Sequence, residues 1–499
     1  MAKCVILTGG IWNPEQWSKI QRSLGPYRLA SALEQKGYST FVLDYIINLT
    51  IDEILQVLEQ HVAEDTLWVG FSSTFFWPKR PDEENVNPRT TKTSLDQMYY
   101  TGNYREIETI IDYIRLRSEA KIIYGGAKAP YFLVDENIDY YVTGNADVSI
   151  IEITQSIEEN KDLPKMIDSN QYLEPDINSI STHWWNTDFN ILPGEGLPIE
   201  LSRGCIFKCK FCNFPLLGKK KGTYLRDPNQ IKDELIKTWE AHGTTTYYFT
   251  DDTFNDDNDK LESLHKVFTD LPFRPQFASY LRLDLINRYP HQVELLEEMG
   301  LIGTFFGLET LQADSAKSIG KGLHPNKVKD RLYWLADRWK NKVNIESGFI
   351  LGLPHDTQKY FNELLSWCLE SDNPIQAIHF YPLMLFHYDK SYGLEKYSSE
   401  FSINPEVYGY EFDTGNNSYW TLPPQQLTYL QCLEISKDFN QQLVGKNKIA
   451  GFHMITSLNV GIALEDLYTL THDQIIDKYD VNLLNLNKIS QYKSMLGLR

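Results

Sequence analysis

The chain has 499 residues, 42% of them hydrophobic and 23% charged, which is too long for one ordinary core and points to two or three globular domains. Its formal charge of −19 argues against a nucleic-acid backbone or an anionic membrane as the main partner. Six cysteines, three of them within eight residues, are no disulfide framework; in a reducing compartment such a cluster points to metal binding or redox chemistry.

The opening apolar run, Cys4 to Leu7, is too short for a signal core or a membrane span, and no stretch of ~18 uninterrupted apolar residues follows. A cytoplasmic protein is expected. Up to about residue 165, short β-branched runs alternate with amphipathic stretches. Strands are predicted at 3–7, 39–43, 67–72, 121–124 and 138–142, and helices at 26–36, 51–61, 104–115 and 148–158. This alternation predicts a parallel, Rossmann-like doubly wound sheet covered on both faces, with a ligand cleft beyond the carboxyl ends of its strands. The polar stretch 78–103 interrupts the third connection, and a loop of that length is usually functional or mobile.

Residues 166–195 lack periodicity and read as a linker. A second alternating run occupies 196–390. Its predicted strands are 197–202, 245–250, 276–280, 304–308, 344–350 and 377–383, with helices at 231–239, 260–269, 292–299, 327–339 and 360–368. Six strand–helix units describe an open partial (β/α)6 barrel of TIM type; closure would need about two more. Residues 391–499 read as a mainly helical capping region. The basic run Lys219-Lys220-Lys221 reads as a solvated loop.

The chemistry concentrates in Cys205-Ile-Phe-Lys-Cys209-Lys-Phe-Cys212, a C-x3-C-x2-C spacing placed just after the first barrel strand. Thiolates suit iron, and three of them leave one iron of a four-iron cube without a protein ligand, an open position that chemistry requires. A structural zinc site would need a second cysteine pair. The remaining Cys4, Cys368 and Cys432 are isolated, which also argues against an auxiliary cluster.

With Phe211 as its aromatic, this motif resembles the radical S-adenosylmethionine superfamily, and the match extends over about residues 196–385. The resemblance implies a 4Fe–4S cluster whose open iron chelates the methionine moiety of S-adenosylmethionine. Reductive cleavage there yields a 5′-deoxyadenosyl radical that abstracts a substrate hydrogen, and an electron donor such as flavodoxin or ferredoxin is implied. Segments Thr250-Asp251-Asp252-Thr253-Phe254, Tyr280-Leu281-Arg282-Leu283-Asp284, Gly307-Leu308-Glu309-Thr310 and Gly348 to Pro354 match the family's cofactor-contacting positions. Asp251, Asp252, Arg282 and Glu309 are candidates for the zwitterion and ribose, with Glu346 behind them. Gly348 and Gly352 are candidates for the close approach of an adenine.

The first 165 residues resemble the cobalamin-binding-like domain that precedes the barrel in one branch of the superfamily. Gly25-Pro26-Tyr27-Arg28-Leu29-Ala30, Val69-Gly70-Phe71-Ser72, Gly125-Gly126 and Ile138 to Gly144 carry that likeness. The Asp-x-His-x-x-Gly cobalt-ligating signature is absent, and His61 reads as an exposed helix residue, so cobalamin binding stays open. With cobalamin the outcome is C-methylation; without it, epimerisation, rearrangement, oxidation or cleavage. An epimerase needs a hydrogen donor, for which Cys368 and Cys432 are the candidates. A non-catalytic iron–sulfur redox protein is the remaining class. The substrate is a small molecule or a peptide, and Tyr408, Tyr410, Trp420 and Glu411-Phe412-Asp413 form a possible aromatic, acidic lid.

Overall fold

Short buried strands begin the fold: Cys4–Leu7 (β1) and Thr40–Leu43 (β2), buried throughout, followed by Trp68–Ser72 (β3), buried up to its last residue. That pattern fits a sheet covered on both faces. The computed structural model describes residues 2–9, 21–73, 75–77, 105–126, 136–172, 176–178, 181–212, 224–385, 399–413, 416–451 and 453–498. The stretch 78–103 and the run Lys219-Lys220-Lys221 lie outside the described residues.

Phe76–Trp77 (β4) pairs with Arg105–Glu106 (β5) beside the main sheet. Lys121–Gly125 (β6), Tyr140–Thr143 (β7) and Met166–Asp168 (β8) complete the main sheet, all parallel, in the order β2-β1-β3-β6-β7-β8. Strand order reverses between β1 and β3, so the crevice that such sheets use for ligands opens at their carboxyl ends. Helices Leu24–Glu34, Ile51–His61, Glu108–Arg117 and Ser149–Glu158 cover the faces. The second starts at a capping box, Thr50 with Glu53. Strand β8 falls where the linker was expected to begin. Three residues, of which only Ile167 is fully buried, carry too little pattern to be seen in sequence.

The second sheet runs Leu197–Ile199 (β9), Thr246–Phe249 (β10), Gln276–Leu281 (β11), Leu301–Glu309 (β12), Asn344–Leu351 (β13) and Ala377–Pro382 (β14), each parallel to the next. Helices on its outer face include Pro228–His242, Asn258–Thr269, Gln292–Met299, Pro325–Arg338 and Gln358–Cys368. This is the open six-unit barrel expected. Its loops at the strands' carboxyl ends face the cysteine motif.

The C-terminal region is mainly helical but first forms a small antiparallel sheet of Glu411–Asp413 (β15), Asn416–Leu422 (β16) and Leu427–Thr428 (β17). Tyr410 and Trp420, expected in a lid, are each 1% exposed. The Tyr410 hydroxyl donates to Gly352 O at 2.8 Å, and Trp420 Nε1 donates to Leu383 O at 2.7 Å. They are core residues, bracing the loops after β13 and β14. The later helices close the opposite end of the barrel. Asn344 Nδ2 donates to the carbonyls of Ile449 and Leu467, both at 3.0 Å, and Gly196 N donates to Asn459 Oδ1 at 2.6 Å. The last helix, Val481–Met495, returns to the first sheet, where Lys493 pairs with Glu53 at 2.7 Å.

One buried cation ties these parts together. Arg22 donates to Glu195 at 2.8 and 3.0 Å and to Asn190 O at 2.8 Å. The rings of Tyr27, Tyr45 and Tyr492 lie 5.5, 5.0 and 5.4 Å from its guanidinium carbon. First sheet, linker and tail thus share one desolvated ion pair. No helix among the described residues is long and apolar enough to cross a membrane.

Candidate active site

The loop after β9 holds the three motif cysteines at the barrel mouth. Backbone bonds fix it: Arg203 N donates to Tyr224 O at 3.0 Å, Lys210 N to Ile319 O at 3.2 Å, and Phe401 N to Lys210 O at 3.0 Å. Cys205 is buried, while Cys209 and Cys212 are half-buried, and none is in a disulfide. Among the described residues no three His, Cys, Asp or Glu side chains converge on a single-ion site. A cube of four irons asks for something different, since each thiolate takes its own iron. Cys205 Sγ lies 3.4 Å from Thr253 Oγ1, and burial raises its thiol pKa. Phe211 packs on the main core. Cys4, Cys368 and Cys432 are each 0% exposed, on a strand of the first sheet and on two outer helices, so they make no second cluster with the loop.

Arg282, at the end of β11, is brought onto the cluster loop. Its Nη1 donates to Cys209 Sγ at 3.4 Å, and its guanidinium lies 3.8 Å above the Phe207 ring. Asp284 grips the other side, accepting from Nε at 3.0 Å and Nη2 at 2.8 Å. Buried Asn255 accepts from Arg282 N at 2.8 Å and donates to Arg282 O at 3.1 Å, which fixes its backbone. A rigid cation is thus held beside the Cys209 sulfur.

The Asp-Asp pair after β10 divides into two roles. Asp251 is 0% exposed and saturated: it accepts from Leu201 N at 3.0 Å and from Ser202 Oγ, with Lys260 Nζ at 3.5 Å. It joins the ends of β9 and β10. Asp252 is only half-buried, and its carboxyl is pushed up to about 7 by burial, with Asp251 and Glu200 adding to the shift. Of the two, only Asp252 keeps exposed surface.

Glu309 ends β12 at φ +66°, beyond a register shift between Gly307 and Glu309. The bulge turns its carboxylate inward, toward Lys321 Nζ at 3.7 Å, and burial raises its pKa. Lys321 also donates to Gly307 O at 2.6 Å. Gly352 sits at φ +95°, and a Cβ there would stand 2.3 Å from Trp420 Cη2. The flat group that requires this glycine is the protein's own indole. At Gly348 a Cβ would meet Phe305 Cζ at 3.0 Å and Tyr381 Cε2 at 3.1 Å.

Sequence reasoning passed over most of the lumen. Along β13, Ile345, Phe349 and Leu351 pack outward at 0% exposure, so Asn344, Glu346 and Gly348 face inward. Glu346 Oε1 lies 3.3 Å from His379 Nε2 on β14. Tyr280 and Phe305 are register partners, edge to face at 5.4 Å, and Tyr381 stands further toward the strands' carboxyl ends. The period-2 alternation of β12 and β14 could have flagged Phe305, His379 and Tyr381.

A second cavity, of about 330 Å³, opens at the carboxyl ends of β1, β3, β6 and β7, between Ile6, Gly70, Ser72, Gly126, Arg28 and Arg203. Arg203, two residues before Cys205, carries the cleft's wall onto the cluster loop. It holds Asp147 at 2.6 Å and Glu200 at 2.7 Å, and Arg28 holds the same two acids at 3.1 and 2.8 Å. Asp147 is consequently held down at about 2: burial opposes its ionisation, and the two arginines more than offset it. Arg28 Nη2 and Ser73 Oγ are buried with no hydrogen-bond partner among the described residues. His61 lies elsewhere, stacked on Phe41 with ring centroids 3.5 Å apart and half-buried.

Residues 199–368 match the Radical SAM superfamily. Curated relatives include the hopanoid C-2 methylase of Rhodopseudomonas palustris (strain TIE-1), 29% identical over 186 residues, covering 36% of this chain and 34% of that protein. The bacteriochlorophyllide d C-12(1)-methyltransferase of Chlorobaculum tepidum is 25% identical over 180 residues, covering 35% of this chain and 38% of its own. The matched segments thus span about a third of these relatives. Among solved structures, the radical S-adenosylmethionine methyltransferase TsrM from Kitasatospora setae, described with cobalamin and a [4Fe-4S] cluster bound, aligns with a TM-score of 0.60 at 16% identity. That alignment covers 96% of this chain and 99% of the other. At that identity the likeness speaks for the fold.

Proposed function

We propose that the chain, whose residues 199–368 match the Radical SAM superfamily, is an enzyme that cleaves S-adenosylmethionine reductively and methylates a small-molecule substrate with the help of a corrinoid. The observation that carries this reading is Arg203. It lines the cleft of the first sheet and stands two residues before Cys205, so the cleft and the cluster loop share one wall.

The residues fit both groups. Cys205, Cys209 and Cys212 would hold the cluster, while Asp252, Arg282 and Glu309 would receive the zwitterion and ribose. Gly70, Ser72, Gly125 and Gly126 border the cleft, where a Cβ on Gly126 would stand 2.6 Å from Ser73 Oγ. The orphaned Arg28 Nη2 supplies a buried donor for amide or phosphate oxygens of a corrinoid tail. When bound, the reduced cluster with S-adenosylmethionine supplies a 5′-deoxyadenosyl radical, and the corrinoid supplies a methyl group.

The chain's own residues do the rest. Arg282 keeps positive charge against Cys209, and Asp284 and Asn255 hold Arg282 rigid. Helices and tail pack against the far end of the barrel. Cys368 and Cys432, the candidate thiols for an epimerase, are each 0% exposed, and burial raises both thiol pKa values, which disfavours that alternative. Reducing electrons would come from a flavodoxin- or ferredoxin-type donor. The curated relatives named as a methylase and a methyltransferase support the methyl-transfer reading.

The test is an anaerobic assay of iron- and sulfide-reconstituted protein with dithionite and S-adenosylmethionine, analysed for 5′-deoxyadenosine by chromatography. Formation of 5′-deoxyadenosine by the native chain, and none by Cys209→Ala, is expected. A fully loaded cluster that yields no 5′-deoxyadenosine would contradict the reading.

A further inference from the structure

Among the described residues, the barrel lumen holds an acid–imidazole pair between aromatic walls. Glu346 and His379 are inward residues of neighbouring strands, 3.3 Å apart. The outward residues of β14, Ile378 and Phe380, are 2% and 1% exposed, packed beneath helices. The His379 side chain is 31% exposed. Its exposed part therefore opens to the lumen, not to the protein's outer surface.

The chemistry of the pair follows from its geometry. Nε2 faces the carboxylate and donates toward it, which leaves Nδ1 as the ring nitrogen able to accept. Nδ1 has no hydrogen-bond partner among the described residues. Three inward rings on three strands wall this part of the barrel, and one of them, Tyr381, lies beside His379. Tyr280 on β11 is 41% exposed although it stands inside the barrel mouth. Phe305 on β12 meets it edge to face, and Tyr381 on β14 is stacked with His379 at 6.2 Å and 30°. Phe305 and Tyr381 both close over Gly348, where any side chain would fill the slot between them.

Resting on the proposed function, which makes this lumen the substrate chamber, we infer that the substrate is a flat heteroaromatic molecule bearing an N–H. Its faces lie against Tyr280, Phe305 and Tyr381, and its N–H donates to His379 Nδ1. His379 is the binding residue. Glu346 is a positioning residue that fixes the imidazole tautomer. Aromatic walls accept many flat shapes, and a single directed acceptor then selects the one with a matching donor.

Two probes of equal shape separate these contributions: indole, which has the N–H, and benzofuran, which lacks it. Their affinities for the cofactor-loaded protein are measured by saturation-transfer NMR. Indole is expected to bind about fivefold more tightly, the range of one net hydrogen bond. His379→Leu abolishes that preference and Glu346→Gln lowers it. Tyr280→Ala weakens both probes together and leaves the ratio intact, a pattern that general damage to the fold does not produce. Equal affinities in the native protein, or a preference that survives His379→Leu, would overturn the inference. Iron content and 5′-deoxyadenosine formation by the native chain are scored in parallel. A missing preference with radical chemistry present sinks only this inference, and absent radical chemistry with the preference intact sinks only the proposed function.

Discussion

Adjacent carboxylates after β10 are assigned opposite roles here, and substitution separates them. Asp251→Asn removes a fully buried charge that serves Leu201 N, Ser202 Oγ and Lys260. An amide can accept from one side only, so at least one buried donor is orphaned. Breaking a buried ion pair costs roughly 3–5 kcal/mol. Lys260 keeps Asp256 at 3.1 Å, which puts the expected loss at the low end, about 3 kcal/mol. Asp252→Asn should do the reverse. Its folded-state pKa of about 7 lies some three units above the ordinary value, and each unit is worth about 1.4 kcal/mol. A raised folded pKa means the native state binds more protons than the unfolded state between about pH 4 and pH 7. Stability of the native chain thus falls as pH rises through that window and levels off above it. Asp252→Asn escapes this loss and should be more stable than the native chain at pH 8.5, by up to about 4 kcal/mol, with a smaller gain at pH 5.5. Urea unfolding followed by tryptophan fluorescence at both pH values measures it. S-adenosylmethionine binding, by equilibrium dialysis, should fall at least tenfold in the same variant. An Asp252→Asn protein that is destabilised at pH 8.5, or an Asp251→Asn protein as stable as the native chain, would refute the division of roles.

Other consequences follow from the same contacts. Glu195→Gln leaves the fully buried Arg22 guanidinium without its counter-ion and should cost about 4 kcal/mol in urea unfolding. Arg22→Met should cost less, because Glu195 keeps Tyr45 Oη at 2.6 Å and Leu192 N at 2.9 Å. Gly352→Ala forces a Cβ into the Trp420 indole at φ +95° and should cost more than about 2 kcal/mol, seen as a lower unfolding midpoint. In the native apoprotein, iodoacetamide should label Cys209 and Cys212 within minutes and spare Cys368 and Cys432. Burial pushes the Cys368 thiol up to about 12, and Cys432 is likewise raised by burial. Mass spectrometry of tryptic peptides checks this.

Much of the fold was legible because its strands are largely buried on both faces and separated by amphipathic helices. The helix 51–61 was placed to the residue, since Thr50, Glu53 and the apolar period mark both ends. Strand β8 was not legible: its order comes from pairing with β7, a tertiary fact that three residues do not encode. The cysteine motif announced itself by spacing. Arg282 was visible as a basic residue at a strand end, but its contact with Cys209 depends on Asn255, 27 positions away. Nothing local tells Asp251 from Asp252; only the packing of Lys260 and Ser202 does. Gly352 was assigned to a base and instead admits Trp420, a partner nearly seventy residues later in the chain. Glu346 and His379 lie in strands whose period could be read, yet their pairing needs the register of β13 on β14.

The most direct test of the account is the metal content of protein reconstituted anaerobically with iron, sulfide and hydroxocobalamin, then desalted. About four irons and one cobalt per chain are predicted, with the corrinoid absorption bands retained beside those of the cluster. Replacing Gly126 with Val should remove the cobalt and keep the iron. Iron without cobalt in the native chain would contradict the corrinoid cleft, and no iron with Cys205, Cys209 and Cys212 intact would contradict the account as a whole.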